Sequence, residues 1–332
     1  MTDAERIAAI AGYGFTTRQA SFLVTALLHA GVCVPRQYCA FAGIAWGQVA
    51  ADFFASLTAR RFATVYPWAR RGGQVFHLHH KALYRAIGEP DSRYRRRGNV
   101  ERAVERLMLL DAVLLTPSLR WLATERDKVA YCLNDRQLAF EDLPSVTFTS
   151  GALRTTRYFP DKLPLAVASA TSEVTLVYLV TDPSGHAFRV FLEGHRRLLE
   201  RLARWRVLLV FPRLLARSEP SQRAAIADLC AAPMRPALLE EFRWFCSVRH
   251  AVEQGGTGRL DLDAARYARA RSAFGAPRFY GLYRQWVRDG DGIWPRLLSP
   301  AFHQAWQSGI ARVETIVLPF VYGELGGLVR TA

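Results

Sequence analysis

The chain has 332 residues, half of them apolar, with a formal charge of +15 and an isoelectric point near 10.1. This length and apolar content predict a folded protein of two or three domains and exclude an intrinsically disordered chain. Five cysteines without CxxC spacing argue against a zinc site or a disulfide framework. The sequence has neither a signal peptide nor an apolar run of about 18 residues, so we expect a cytoplasmic protein without a membrane partner.

Residues 16–80 have the pattern of a winged helix-turn-helix. Thr16 or Thr17 begins a first helix, which ends at Gly31. The pattern continues with helices over 36–42 and 48–60 and with strands over 63–67 and 74–79. Three helices and a hairpin give a shape that enters the major groove of DNA and touches the flanking backbone. We therefore expect residues 1–98 to form a DNA-binding domain with a basic linker.

Residue type and position indicate which side chains of this domain would contact DNA. Gln48, in the third helix, either reads an adenine with two hydrogen bonds or is an ordinary surface residue. Arginines near the helices and on the hairpin are candidates for phosphate contacts, namely Arg36, Arg60, Arg61, Arg70 and Arg71. The cluster that follows is either a minor-groove arm or a solvated linker, and comprises Arg93, Arg95, Arg96 and Arg97.

The positive charge is concentrated near the N-terminus. The first hundred residues hold 13 Lys plus Arg against 5 Asp plus Glu, whereas the other 232 residues hold 31 against 24. Such an excess around a candidate DNA-binding module is the electrostatic footprint that a phosphate ligand requires. Almost all of the cations are arginine, and a GC-rich genome would produce the same excess without any ligand.

The remaining sequence predicts an α/β domain over 99–232 and a helical domain over 233–332, and the whole chain is therefore expected to be α+β and multidomain. The α/β part begins with a helix over 99–115 and one or two short elements over 119–139. Further along are β-rich runs at 145–150, 163–169, 173–182 and 205–212, with a long helix over 187–205 between the last two. Amphipathic helices are expected at 238–252, 262–274 and 279–287.

Three segments within residues 10–215, TTRQASFLVTALLHAGVCVPRQYCAFAG, VFHLHHKALYRAIGEP and RWLATERDKVAY, resemble the replication-relaxation family of winged-helix proteins from bacterial plasmids and integrative elements. The resemblance implies a restriction-nuclease-like α/β fold after the winged helix. That fold holds Mg²⁺ with a Pro-Asp on one strand and a Glu/Asp-x-Lys on the next.

The implied metal site is incomplete in this chain. Pro160-Asp161-Lys162 resembles the first element, and Asp182 follows the next strand. That strand offers no acid before Asp182 and no lysine. Asp161, Lys162 and Asp182 are thus weak catalytic candidates, and we expect a degenerate centre without a metal, a cofactor or enzyme activity.

These observations predict a protein that binds double-stranded DNA as an accessory or regulatory factor of a mobile element, in transfer, replication or transcription. One alternative is a metal-dependent nuclease, which a second acid near Asp161 would support. Another is a scaffold without DNA contact, in which helix 48–60 would pack against the rest of the chain. We also expect a homodimer with its interface mainly in 233–332, because that part is rich in aromatic residues, including Phe242, Trp244, Phe245, Phe279, Tyr283 and Trp286.

Overall fold

The computed structural model describes residues 1–66, 74–150, 153–168, 171–255, 263–320 and 322. The protein is α+β, as the sequence predicts. It divides into two compact units, the first comprising Met1–Ser184, Gly194–Glu219 and Arg312–Ala332, and the second Gly185–Glu193 and Pro220–Ala311. Within the described ranges, no helix combines the length and the apolar composition needed to cross a membrane.

The first unit begins with a small helical module. Its elements are α1 (Asp3–Ala11), α2 (Thr17–His29), β1 (Val32–Cys33), α3 (Pro35–Ala42), α4 (Gln48–Ala59), β2 (Ala63–Val65), β3 (Phe76–Leu78) and α5 (Lys81–Ala86). The three strands form an antiparallel sheet in the order β1-β3-β2. Thr16 caps α2 by accepting a hydrogen bond from the backbone nitrogen of Gln19. The helices and strands predicted over 16–80 are confirmed, and α1 and β1 are additions that the sequence pattern did not indicate.

The next helix, α6 (Val100–Leu115), joins this module to the rest of the first unit. It contacts α2, α3 and β1 on one side and two later strands, Val174–Leu179 and Trp205–Pro212, on the other. Residues on both sides of the helix are therefore buried, including Met108, Leu109 and Ala112. One continuous core results, so the predicted domain boundary between residues 98 and 99 does not separate two packed bodies.

The larger sheet of the first unit has five strands. The elements after α6 are β4 (Leu119–Leu122), α7 (Glu125–Ala130), β5 (Ser145–Ser150), β6 (Leu153–Tyr158), β7 (Leu165–Ala168), β8 (Val174–Leu179), α8 (His186–Gly194), α9 (Arg196–Arg201), β9 (Trp205–Pro212) and, near the C-terminus, β10 (Ala311–Leu318). The strand order is β10-β9-β8-β7-β4, with β8 and β9 parallel and the pairs β4–β7 and β7–β8 antiparallel. Strands β5 and β6 form a separate two-stranded hairpin.

Two predictions about this region are wrong. The long helix predicted over 187–205 is interrupted at His195, which separates α8 from α9. The predicted helical domain over 233–332 is not helical throughout, because β10 lies at the edge of the five-stranded sheet. Buried Glu173 explains part of this placement: its carboxylate is within 3.5 Å of Arg206 Nε in β9 and 3.2 Å of Arg312 Nε in β10.

The second unit is helical over its described residues. It contains α8 together with α10 (Glu219–Leu229), α11 (Pro236–Glu253), α12 (Ala264–Ala273), α13 (Pro277–Asp289), α14 (Trp294–Leu298) and α15 (Ala301–Gln307). The helices predicted in this part are confirmed. Its core buries Phe242, Phe245 and Tyr283, with Trp244, Phe279 and Trp286 packed against them. Three of these six aromatic side chains are thus fully buried inside the unit, and the other three are partly exposed.

Candidate nucleic-acid interface

The outward face of α4 is determined by what the helix buries on its other side. The buried residues are Ala50, Phe53, Phe54 and Leu57. The rings of Phe53 and Tyr38, a residue of α3, lie 4.4 Å apart and hold the two helices together. At the opposite face, around the start of α4, Trp46 is 60% exposed and Val49 is 66% exposed.

Gln48 and Asp52 lie on this exposed face. They are four residues apart, so they occupy successive turns on one side of the helix. Gln48 Nε2 donates a hydrogen bond to Asp52 Oδ1 over 2.6 Å. Gln48 would have to give up this bond in order to read adenine with two hydrogen bonds. The negative charge of Asp52 disfavours a phosphate at this position, whereas a carboxylate can accept a hydrogen bond from cytosine N4.

The two arginines after α4 have different surroundings. The Arg60 guanidinium lies over the rings of Phe15 and Phe62, at 5.0 and 4.4 Å from their centroids. It also donates a hydrogen bond to the backbone oxygen of Tyr13. Arg61 is exposed, with a φ of 57°. Arg60 thus stabilises the end of α4, and Arg61 is the better placed of the two for a phosphate. Arg70 and Arg71 lie outside the described residues.

Arg36, which the sequence predicts as a phosphate contact, pairs with a buried carboxylate. Its two terminal nitrogens donate to the two oxygens of Asp111, each over 2.7 Å. Asp111 is buried in α6 and accepts a further hydrogen bond from the hydroxyl of Tyr322. The guanidinium also lies 3.5 Å from the ring centroid of Phe320. Arg36 therefore neutralises a buried carboxylate.

The basic segment 93–97 is anchored at Tyr94. Tyr94 is buried, and its backbone oxygen is 2.9 Å from Nε2 of His77 in β3. Gly31 lies against the same residue with a φ of 66°, and a Cβ there would be 2.5 Å from Tyr94 Cβ. Glycine at position 31 both permits the left-handed turn after α2 and leaves room for Tyr94. Tyr94 accordingly anchors the segment to the fold.

The four arginines of this segment divide into an inner and an outer pair. Arg93 donates to the backbone oxygen of Lys162 over 3.1 Å, and Arg95 donates to the backbone oxygen of Pro90 over 2.7 Å. Arg96 and Arg97 are exposed. Arg93 and Arg95 thus fasten the segment to the fold, and the outer pair is available to an anionic ligand.

Asp161 lies in a cluster with His195 and Lys128 at the turn before β7. His195 Nε2 is 3.0 Å from Asp161 Oδ2, and the backbone nitrogen of Leu163 donates to Oδ1 over 2.7 Å. Lys128 Nζ donates to the backbone oxygen of Leu163 over 2.7 Å. Burial lowers the pKa of Lys128 to about 8, against the opposing attraction of Asp161. Burial also acts to raise the pKa of Asp161, but the bond from His195 and the nearby positive charges outweigh it and lower that pKa.

Lys162, the next residue, is outside this cluster. It is exposed and has a φ of 64°. Its pKa is lowered by partial burial and by the charges of Arg93, Arg102 and Arg157. Lys162 therefore belongs to a group of cations and not to a nuclease centre.

Strand β8, which should carry the second carboxylate of a nuclease centre, has none. All six residues of β8 are buried, and none of them is acidic or a lysine. Asp182 caps a turn, accepting from the backbone nitrogen and the hydroxyl of Ser184 at 3.0 and 2.6 Å. Glu173 precedes β8 and so lies at the opposite end of the strand from Asp182. Among the described residues, no group of three or more His, Cys, Asp and Glu side chains is arranged to hold a metal ion.

Sequence reasoning missed Lys128 and His195. One signal for Lys128 was available: the chain has only three lysines, at 81, 128 and 162, against 41 arginines. A lysine retained in so arginine-rich a sequence indicates a site that a compact ammonium fits better than a planar guanidinium. His195 was hidden because its neighbours predict an uninterrupted helix.

Comparison of the chain with protein-family models, with curated proteins and with solved structures gave no match.

Proposed function

We propose that this chain binds double-stranded DNA through a winged helix-turn-helix formed by its first 98 residues. In this proposal it is an accessory or regulatory protein of a bacterial mobile element, as the sequence resemblance to the replication-relaxation family implies. Helix α4 enters the major groove, and cations around the module contact phosphates. The five-stranded sheet and the helical unit offer surfaces for a second copy or another protein.

The observation that carries the proposal is the order and pairing of the first elements. Helix, strand, helix, helix and two strands follow one another from α2 to β3, and the strands pair as β1-β3-β2. In a winged helix, this order leaves the last helix before the hairpin free to enter a groove. Here α4 occupies that position, and its N-terminal half is exposed.

The exposure of α4 argues against a scaffold without DNA contact. Such a scaffold would pack this helix against the rest of the chain. Instead, Trp46, Gln48, Val49 and Asp52 are all exposed at one end of it. A nuclease is also disfavoured, because Asp161 is engaged by His195 and strand β8 supplies no second acid.

The proposal is tested by the effect of Gln48→Ala on two affinities, one for a duplex from the protein's own locus and one for a shuffled duplex. Loss of a base contact reduces the difference between the two binding free energies by about 1–3 kcal/mol. Arg61→Gln is the control, since losing a phosphate contact weakens binding to both duplexes equally. Unchanged affinities in both variants would remove α4 from the interface.

A further inference from the structure

The hairpin of β5 and β6 is exposed along most of its length. Every residue of both strands is exposed except Tyr158, which is half-buried. Neither strand pairs with any other described strand. A lone two-stranded hairpin is only marginally stable in water, so an exposed one requires a reason to persist.

The base of the hairpin is firmly attached to the first unit. Glu125 of α7 accepts a hydrogen bond from the backbone nitrogen of Tyr158 over 2.8 Å, and its other oxygen is 2.9 Å from Arg157 Nη2. The backbone nitrogen of Phe159 donates to the oxygen of Pro144 over 2.7 Å. The hairpin is thus held at its base while the six paired positions beyond it extend over about 20 Å.

The two faces of the hairpin differ. Val146 pairs with Arg157, Phe148 with Thr155, and Leu153 with Ser150. Because these three pairs occupy alternate positions of the ladder, Val146, Phe148 and Leu153 lie on one face of the hairpin. Phe148 is 59% exposed and Leu153 is 76% exposed. The opposite face is polar and includes Thr147 and Thr156, whose hydroxyls are 3.0 Å apart. The charged residues of the two strands are Arg154 and Arg157, and neither strand contains an acid.

Cations gather where the hairpin meets the fold. Lys162 follows β6 closely, and its backbone oxygen accepts the hydrogen bond from Arg93. Arg93, Arg102 and Arg157 all lie near enough to lower the pKa of Lys162. Glu125 and Glu105 pair with Arg157 and Arg102, at 2.9 and 3.5 Å. We call Arg93, Arg102, Arg157 and Lys162 the basic cluster. Two of these four cations have a glutamate partner, so the cluster keeps an excess of positive charge that a bound anion would neutralise.

We propose that the hairpin and the basic cluster form a second contact surface for double-stranded DNA, with the ribbon in a groove and the cluster on the adjoining phosphates. A two-stranded ribbon fits the major groove, which is about 12 Å wide. The apolar face then meets base edges and thymine methyl groups, and Arg154 reaches the backbone. This inference rests on the proposed DNA-binding function and adds to it a surface outside the winged helix.

The test compares two double variants with the wild-type protein on a short fluorescent duplex, from about 50 to about 200 mM salt. Arg102→Gln with Lys162→Gln removes two cations, so the slope of log affinity against log salt should become shallower by about 1.8. Phe148→Ser with Leu153→Ser should weaken binding roughly tenfold and leave the slope unchanged, because these side chains touch bases and not phosphates. Circular dichroism melting curves establish that each variant is folded.

A matched control removes two cations elsewhere. Arg269→Gln with Arg271→Gln makes the same charge change at exposed positions of α12, and it should leave the slope as it is. If the control flattens the slope as much as the cluster variant does, net charge explains the effect and the inference fails.

The outcomes separate this inference from the proposed function. If Gln48→Ala weakens binding but the hairpin and cluster variants bind as the wild-type protein does, the second surface is overturned and the winged helix is retained. The reverse pattern retains the second surface and removes α4 from the interface. A wild-type protein that binds no duplex overturns both, and capture of a protein or a lipid vesicle by the hairpin in its place would identify a different ligand.

Discussion

Arg36 occupies a position in the sequence where a helix-turn-helix protein can place a phosphate contact, yet its side chain pairs with a buried carboxylate. Because Asp111 is buried, removing its guanidinium partner leaves a negative charge without compensation. We expect Arg36→Met to lower the free energy of unfolding by about 3 kcal/mol. Chemical denaturation measures this, with Arg61→Met as the control for loss of an exposed cation. Equal stability of the two variants would contradict the structural role of Arg36.

His29 makes stability depend on pH. It is buried beside Trp121, and burial lowers its pKa from 6.5 to about 4. The folded state therefore keeps His29 neutral between these pH values, while the unfolded chain takes up a proton. The contribution of His29 is fully present above pH 6.5 and is lost as the pH falls towards 4, by about 3 kcal/mol in all.

This pH dependence is measured by urea denaturation at several pH values between 7 and about 4. Replacing the titrating group, as in His29→Gln, should make the stability curve flatter than that of the wild-type protein over this range. Parallel curves for the two proteins would show that His29 titrates alike in the folded and unfolded states.

Asp161 is expected to support the fold and not to catalyse DNA cleavage. Its carboxylate holds the turn before β7 through His195 and Leu163, and β8 carries no acid that could complete a nuclease centre. Added Mg²⁺ or Mn²⁺ should therefore give no cleavage of single- or double-stranded DNA, and Asp161→Asn should lower Tm. Cleavage that requires a metal and disappears in Asp161→Asn would instead establish a nuclease.

At the scale of elements, β10 makes the C-terminal segment part of the first unit. Deleting residues 311–332 would expose the edge of β9 and remove Arg312 from the buried Glu173. We expect the shortened chain to have a lower Tm and a tendency to aggregate. In the full chain, Arg312→Gln isolates the ionic part of this effect, and its Tm should lie between those of the shortened and wild-type proteins. An unchanged Tm after the deletion would mean that the sheet does not depend on β10.

The sequence predicts most of these elements because their patterns are local. The period of apolar residues and an N-cap identify α6, and continuous apolar runs identify β8 and β9. Predictions fail where a distant contact overrides the local pattern. His195 contacts Asp161 and interrupts a helical sequence. Strand β10 joins the edge of the sheet beside β9, where Arg312 contacts Glu173, and no local pattern indicates this position.

The candidate interface is less predictable than the fold, for the same physical reason. Residue type alone cannot distinguish an arginine that faces solvent from one that neutralises a buried acid, as Arg61 and Arg36 illustrate. Gln48 could be chosen from the sequence because helical periodicity places it on the outer face of α4. The basic cluster could not, because its members come from four separate segments that only the folded chain brings together.

At the scale of the whole molecule, dimerisation stays a prediction, although its sequence rationale has weakened. Three of the six aromatic residues on which it rests, Phe242, Phe245 and Tyr283, are buried in the core of the second unit. A dimer would still bind two half-sites and so gain affinity and discrimination over a single module. Light scattering on the full chain should give twice the monomer mass of 37.4 kDa. A monomer at micromolar concentration, with and without DNA, would exclude the dimer.

The most direct test of DNA binding is the salt dependence of two affinities of the full-length protein, for duplex DNA from its own locus and for a shuffled duplex. A protein that neutralises several phosphates loses affinity steeply as salt rises from about 50 to about 200 mM, and one that reads bases prefers its own site by roughly a thousandfold or more. We expect a steep slope on both duplexes and tighter binding to the locus. Absence of salt-dependent binding to either duplex would contradict a DNA-binding function for this protein.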